Sequence, residues 1–168
     1  SLALYTDTLA ALDQLPDADA TDRVTRAALQ ERLGLEIELI DSGITLLNNI
    51  ATPAQGIRST FDLLPQNSAQ DWATIADFLH QVPVALNGFQ DSLLTSAQNS
   101  LAPARRQVDV VLEQVRAYVA TGGYFEQLSV QADKADLPAE TLERVHTGTD
   151  AATKAYAGFA DFLSQNLQ

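Results

Sequence analysis

The sequence predicts an all-α protein, a bundle of six to seven mostly antiparallel helices with short connections. Three observations carry that reading. Runs of β-branched residues alternating with period two are sparse, so there is little from which to build a sheet. Apolar residues return at helical spacing through almost the whole chain. Prolines, glycines and capping residues fall between these periodic segments and divide them.

The first helix is expected over Leu2 to Leu15, with Leu2, Tyr5, Leu9 and Leu12 on one side and Pro16 as its stop; PDADA then makes a short acidic turn. Thr21 is expected to cap the second helix, with Asp22 at the positive end of its macrodipole. That helix runs to about Ser42 on a stripe of Val24, Ala28, Leu35 and Leu39, widened by Leu33, Ile37 and Ile40. Gly43 offers its C-terminal stop.

The stretch TPAQGIRSTFDLLP, Thr52 to Pro65, follows. Two prolines and a glycine interrupt it, yet it keeps Ile57, Phe61, Leu63 and Leu64, so it reads as a packed connector with two helical turns from Ile57 to Leu64. SAQD then supplies Ser68 as a cap with Asp71 three residues on, a variant of the capping box. The next amphipathic helix carries Trp72, Ile75, Leu79 and Val82 and is expected to kink or break at Pro83, resuming through Leu86, Phe89, Leu93 and Leu94. Pro103 is expected to open a helix with Val108, Val111, Leu112, Val115 and Val119 inward, closed by Gly122 and Gly123. A shorter segment, YFEQLSVQADKAD, leads to Pro138 in the first turn of a final helix through Leu142, Val145, Tyr156, Phe159 and Leu163. Trp72 and the phenylalanines at 61, 78, 89, 125, 159 and 162 read as core.

A chain of 168 residues can bury roughly 70% of its unfolded surface, which fits one helical domain or subdomain over residues 1–168. Hydrophobic residues at 46% with charged residues at 19% describe an ordinary globular chain rather than a disordered one. No apolar run approaches the ~18 to 20 residues of a membrane span, so no membrane is expected as a partner. The formal charge of −12 repels phosphate backbones, so no nucleic acid is expected either. The absence of cysteine removes disulfides, thiolate metal sites and cysteine nucleophiles. With no methionine, the expectation is a processed chain or a piece of a longer polypeptide. No targeting segment is visible, and a soluble, cytoplasmic protein is expected.

Two acid-x-x-His spacings, Asp77 with His80 and Glu143 with His146, resemble the way helical bundles hold two metal ions. At about 100° per residue, however, Asp77 falls opposite the stripe of Trp72, Ile75 and Leu79, and Glu143 lies about 160° from the stripe of the last helix. Both acids are expected in water, so no metal ligand is assigned. Ser59 lies beside Arg58 and Asp62, but no G-x-S-x-G elbow or sheet supports a hydrolase nucleophile, so no catalytic residue is assigned. Phosphate-binding loops, G-x-G-x-x-G and H-E-x-x-H are missing. Arg105 and Arg106, at the start of a helix, read as a solvated pair. Arg58 is expected to tie the connector down through Asp62. Gln55 and Arg58 are the two positions left as candidates for contact with a substrate cleft or another domain.

The order of features then acquires a likeness. TDRVTRAALQERLGLEIE, LLNNIATPAQGIRSTFDLLP, AQDWATIADFLHQVPVALNGFQDSLL, ARRQVDVVLEQVRAYV and YFEQL together resemble the N-terminal helical region of the bacterial DUF885 family, and LPAETLERVHTGTDAATKAYAGFADFLSQNL looks like that region's last helix. The likeness covers roughly Leu15 to Leu163. Its most specific elements are the stretch from Gly56 to Leu63-Leu64-Pro65, the Asp71-Trp72 helix start and the Val82-Pro83 pair.

The resemblance implies a region of a longer, largely helical zinc metallopeptidase of the H-E-x-x-H kind. Its zinc and catalytic glutamate would lie in a C-terminal part, and no cofactor would sit in this chain. His80 and His146 match none of that motif, so no catalytic or metal residue carries over. The implied role is non-catalytic, a wall of the substrate cleft for peptides, with the remainder of the polypeptide or a second copy covering an apolar patch. The alternative is a free-standing helical interaction module without enzymatic activity.

Overall fold

A computed structural model describes residues 2–44 and 46–167. Seven helices occur among the described residues, with no strand: α1 Leu2–Asp13, α2 Ala20–Asp41, α3 Pro53–Leu63, α4 Ala69–Gln98, α5 Arg105–Val119, α6 Tyr124–Lys134 and α7 Ala139–Asn166. They fall into two compact units, Ser1–Thr45 and Leu46–Gln168.

The first unit is a hairpin of α1 and α2. Its second helix is capped by Asp19, not Thr21: the Asp19 carboxylate accepts the Asp22 N–H at 2.9 Å, and Asp22 in turn accepts the Ala18 N–H at 2.9 Å. Aspartate caps a helix at least as well as threonine, and the reciprocal bond satisfies a second donor. Arg26 closes the hairpin. It pairs with Asp17 at 2.7 Å and donates to the carbonyls of Leu15 and of Leu12, the latter also accepting the Leu15 N–H at 3.2 Å in the turn that ends α1. Gly43, at φ +70°, ends α2 in the left-handed conformation that favours glycine. The stripe expected to turn inward does not. Val24 is 70% exposed and Leu35 55%, because a two-helix hairpin buries only one side of each helix and α2 is apolar on two.

The second unit is built on α4 and α7, the two longest helices, with α3, α5 and α6 packed around them. Gly148 of α7 allows the close approach: a Cβ there would stand 2.8 Å from the Cβ of Leu79 on α4. The core runs through Ile75, Leu79, Val82, Leu86, Phe89 and Leu93 of α4 and Val145, Ala152, Tyr156, Phe159 and Leu163 of α7. Phe125 of α6 completes an aromatic cluster, 5.4 Å from Tyr156 and edge-on to Phe61 at 6.2 Å between ring centroids. Phe78 departs from the expected core position and is 43% exposed.

Pro83 does not break α4. The proline removes one backbone hydrogen bond and costs about 3 kcal/mol in a helix interior. Leu79 and Val82 before it and Leu86 after it are all buried on one face, and each buried aliphatic side chain contributes about 1.5 to 3 kcal/mol. Packing therefore outweighs the local break and the helix runs through Pro83, 30 residues in all from Ala69 to Gln98. Its start follows the sequence: the Ser68 hydroxyl accepts the Asp71 N–H at 3.2 Å and Asp71 accepts the Ser68 N–H at 2.9 Å. By contrast α5 begins at Arg105 rather than at Pro103, because Ala104 stays extended at ψ 132°.

Candidate functional site

The stretch from Thr52 is a helix rather than a loop. Pro53 occupies its first turn, where a missing N–H costs nothing, and Gln55 accepts the Thr52 N–H at 3.0 Å in a capping box. This start adds a turn to the helix expected from Ile57. Phe61 is buried, Ile57 and Leu64 pack partly against the core, and Leu63 is 85% exposed. The packed-connector reading therefore holds for three of the four apolar residues.

Gln55, Arg58 and Asp62 follow one another at spacings of three and four and so lie along one side of α3. Gln55 is fully engaged. Its amide donates to the Asn48 carbonyl at 2.9 Å and to Gln114 Oε1 at 2.8 Å. Gln114 of α5 donates to the Asn49 carbonyl at 3.1 Å. Within the same loop, Asn48 Oδ1 accepts the N–H groups of Ile50 and Ala51 at 2.8 and 2.9 Å, a side-chain turn that leaves Ile50 79% exposed. Two glutamines thus clamp the loop before α3 onto α5.

Arg58 pairs with Asp62 as the four-residue spacing predicts, and it does more. Its guanidinium lies 3.9 Å from the centre of the Tyr124 ring and 6.0 Å from that of Tyr118. The Tyr124 hydroxyl donates to Asp62 Oδ1 at 3.3 Å, so cation, carboxylate and phenol form one group across α3 and α6. Arg58 Nε is buried without a hydrogen-bond partner, which fits a guanidinium held by its π contact and its outer nitrogens. Burial, then the Asp62 charge, push the Tyr124 pKa up to about 12, with Arg58 opposing. Burial also raises that of Tyr156, whose hydroxyl donates to the Ala54 carbonyl at 2.9 Å. Both phenols are therefore neutral donors at physiological pH and neither is a general base.

Beside this group lies a depression of about 220 Å³ lined by Asp62, Gln66, Tyr124, Gln127 and Gln131 over Phe61. A smaller apolar notch of about 130 Å³ opens between α3 and α4 at Ile57, Phe61, Phe78 and Val82. Ser59 is exposed and shares no hydrogen bond with a base among the described residues.

The acid-x-x-His pairs are separate structures. Asp77 is exposed and pairs with Arg144, while His80 Nε2 sits 3.2 Å from the Arg144 carbonyl. His146 Nε2 lies 2.9 Å from Asp133 of α6, and Glu143 is exposed. Both acids face water, as the helical arithmetic requires. No group of three or more His, Asp or Glu side chains suited to a metal ion occurs among the described residues. Arg105 and Arg106 are exposed at the start of α5. Among the described residues no helix is long and apolar enough to cross a membrane.

Sequence reasoning found Gln55, Arg58 and Asp62 but not Gln114, Tyr118 or Tyr124. Gln114 is 59 residues from Gln55 and Tyr124 is 62 from Asp62, and no local pattern joins such positions. A search of curated proteins finds no match to this chain. A family model described as "Bacterial protein of unknown function (DUF885)" matches residues 1–168, so the chain belongs to the DUF885 family.

Proposed function

We propose that this chain is the non-catalytic N-terminal helical region of a zinc-metallopeptidase-type protein and forms one wall of its substrate cleft. The observation that carries the reading is the division of labour on α3 and α4. The polar groups that could serve chemistry are tied within the fold, Gln55 to Thr52, Asn48 and Gln114, and Arg58 to Asp62 and Tyr124. At the notch Phe78 stays 43% exposed, and α3 and α4 carry two further exposed apolar side chains, Leu63 at 85% and Val84 at 68%. Exposed apolar side chains in such numbers mark surfaces that receive another body. Arg58 would contribute its exposed edge to that contact, and Gln55 would act through the loop it clamps. The zinc and the catalytic glutamate would come from the C-terminal part that the family resemblance implies.

The test is association with a separately expressed DUF885 segment containing H-E-x-x-H. The reading expects the two to bind, with Phe78→Asp and Arg58→Ala weakening the complex and leaving zinc content unchanged. Absence of association, or association indifferent to both substitutions, overturns it.

A further inference from the structure

α4 carries two seams of the same period. Ile75, Leu79, Val82, Leu86, Phe89 and Leu93, spaced alternately by four and three residues, form the one that is buried. One residue before each of them stand Thr74, Phe78, Gln81, Ala85, Gly88 and Ser92. This second seam has the same heptad spacing, lies about 100° round the helix, and is exposed at every position from Phe78 on.

The second seam has no charged residue, in a chain whose formal charge is −12. Thr74 and Ser92 turn their hydroxyls back to the carbonyls of Gln70 and Gly88, at 3.1 and 2.9 Å, so neither offers an unmet donor. Phe78 rises from the seam at the apolar notch beside α3. Gly88 answers no demand of the fold around it: a Cβ there would meet nothing within 4 Å, and a glycine inside a helix weakens it relative to alanine. A large exposed ring and a gap thus stand ten residues apart on one face.

An antiparallel copy of α4 fits that face. With a two-fold axis at Pro83, Phe78 of each copy lies over Gly88 of the other, Gln81 over Ala85 and Thr74 over Ser92. Each layer pairs a larger side chain with a smaller one. Val84, 68% exposed, meets its own symmetry mate beside the axis. On the flank, Asp91 comes within a turn of Asp77 of the other copy, whose partner Arg144 is itself 40% exposed and can take both carboxylates. Two chains of this charge repel over most of their surface, and on this seam they need not.

We propose that a second copy of this chain docks on the seam, α4 against α4, as an antiparallel two-fold pair. The proposal does not rest on the cleft-wall reading, since it concerns the chain by itself; a catalytic segment covering the notch would compete with the second copy. Sedimentation of the intact chain over a concentration series is expected to show a monomer–dimer equilibrium with a Kd on the order of 10 to 100 µM, weak because one helix pair buries little area. Phe78→Asp and Gly88→Gln are each expected to weaken it at least tenfold. Gly88→Gln keeps the test clear of misfolding, because its side chain enters open space in the monomer and is expected to raise thermal stability there.

The chain has no cysteine, so single replacements report the register. Val84→Cys is expected to crosslink between copies through a short bismaleimide, and Ser92→Cys, about 27 Å from its mate in the antiparallel pair, is not. A monomer at millimolar concentration leaves the face to another partner and overturns the proposal. So does a dimer indifferent to both substitutions, or one in which Ser92→Cys crosslinks as readily as Val84→Cys.

Discussion

The Arg58 guanidinium lies 3.9 Å from the centre of the Tyr124 ring, and the Tyr124 hydroxyl donates to Asp62, the carboxylate that pairs with the same arginine. The three side chains therefore depend on one another, and they join α3 to α6 where no helix-to-helix backbone bond can. Arg58→Ala is expected to destabilise the second unit by about 1 to 2 kcal/mol, since it removes the π contact and leaves Asp62 with one donor fewer. Arg58→Lys is expected to recover the charge but not the planar stacking, and so to restore only part of that loss. Urea denaturation of the three proteins measures both.

Alkaline stability follows from the two tyrosines. Their folded-state pKa values lie above the ordinary phenol value, so the fold favours the neutral forms. Their contribution is complete below pH 10 and is lost as pH rises through the folded values, for Tyr124 between about 10 and 12. Tyr124→Phe is expected to flatten the fall in stability in that window while leaving the part owed to Tyr156. Thermal melts across the window read the difference.

Gly148→Ala tests the close contact of α4 with α7. The added methyl would meet Leu79 Cβ at 2.8 Å, a backbone-proximal atom that cannot swing aside, so a loss of about 1 to 3 kcal/mol is expected. Gly158→Ala on the same helix meets nothing within 4 Å and is expected to stabilise by up to about 1 kcal/mol through helix propensity. Equal effects of the two would contradict the geometry.

Pro83→Ala should raise stability. It restores a backbone donor to the Leu79 carbonyl within a helix that already continues through the position, and a gain of up to about 3 kcal/mol is expected from denaturant midpoints.

Gln55→Ala should loosen the clamped loop without unfolding the core. Amide exchange at Thr52, whose N–H is held by Gln55 Oε1, and at Ile50 and Ala51, held by Asn48, is expected to quicken while exchange at Leu79 and Val145 stays unchanged.

The helices were legible because their apolar stripes and breakers are local signals. SAQD announced the α4 cap, Gly43 announced the end of α2, and the Arg58 to Asp62 spacing announced their pair. Pro83 misled because its cost is local and the burial of Leu79, Val82 and Leu86 that overrides it is tertiary. The stripe of Val24, Leu35 and Leu39 misled because periodicity says that a face is apolar and not what covers it. At the candidate site, Gln55 and Arg58 were visible as polar residues in an apolar stretch. Their partners Gln114 and Tyr124 were not, since only the fold brings them near.

Under the proposed function, this helical region would serve a metallopeptidase-type protein without carrying its chemistry. Elemental analysis of the purified chain, run beside a peptide-cleavage assay freed of other proteases, tests it most directly. Neither stoichiometric zinc nor peptide cleavage is expected; one zinc per chain together with peptide hydrolysis would overturn the proposed role.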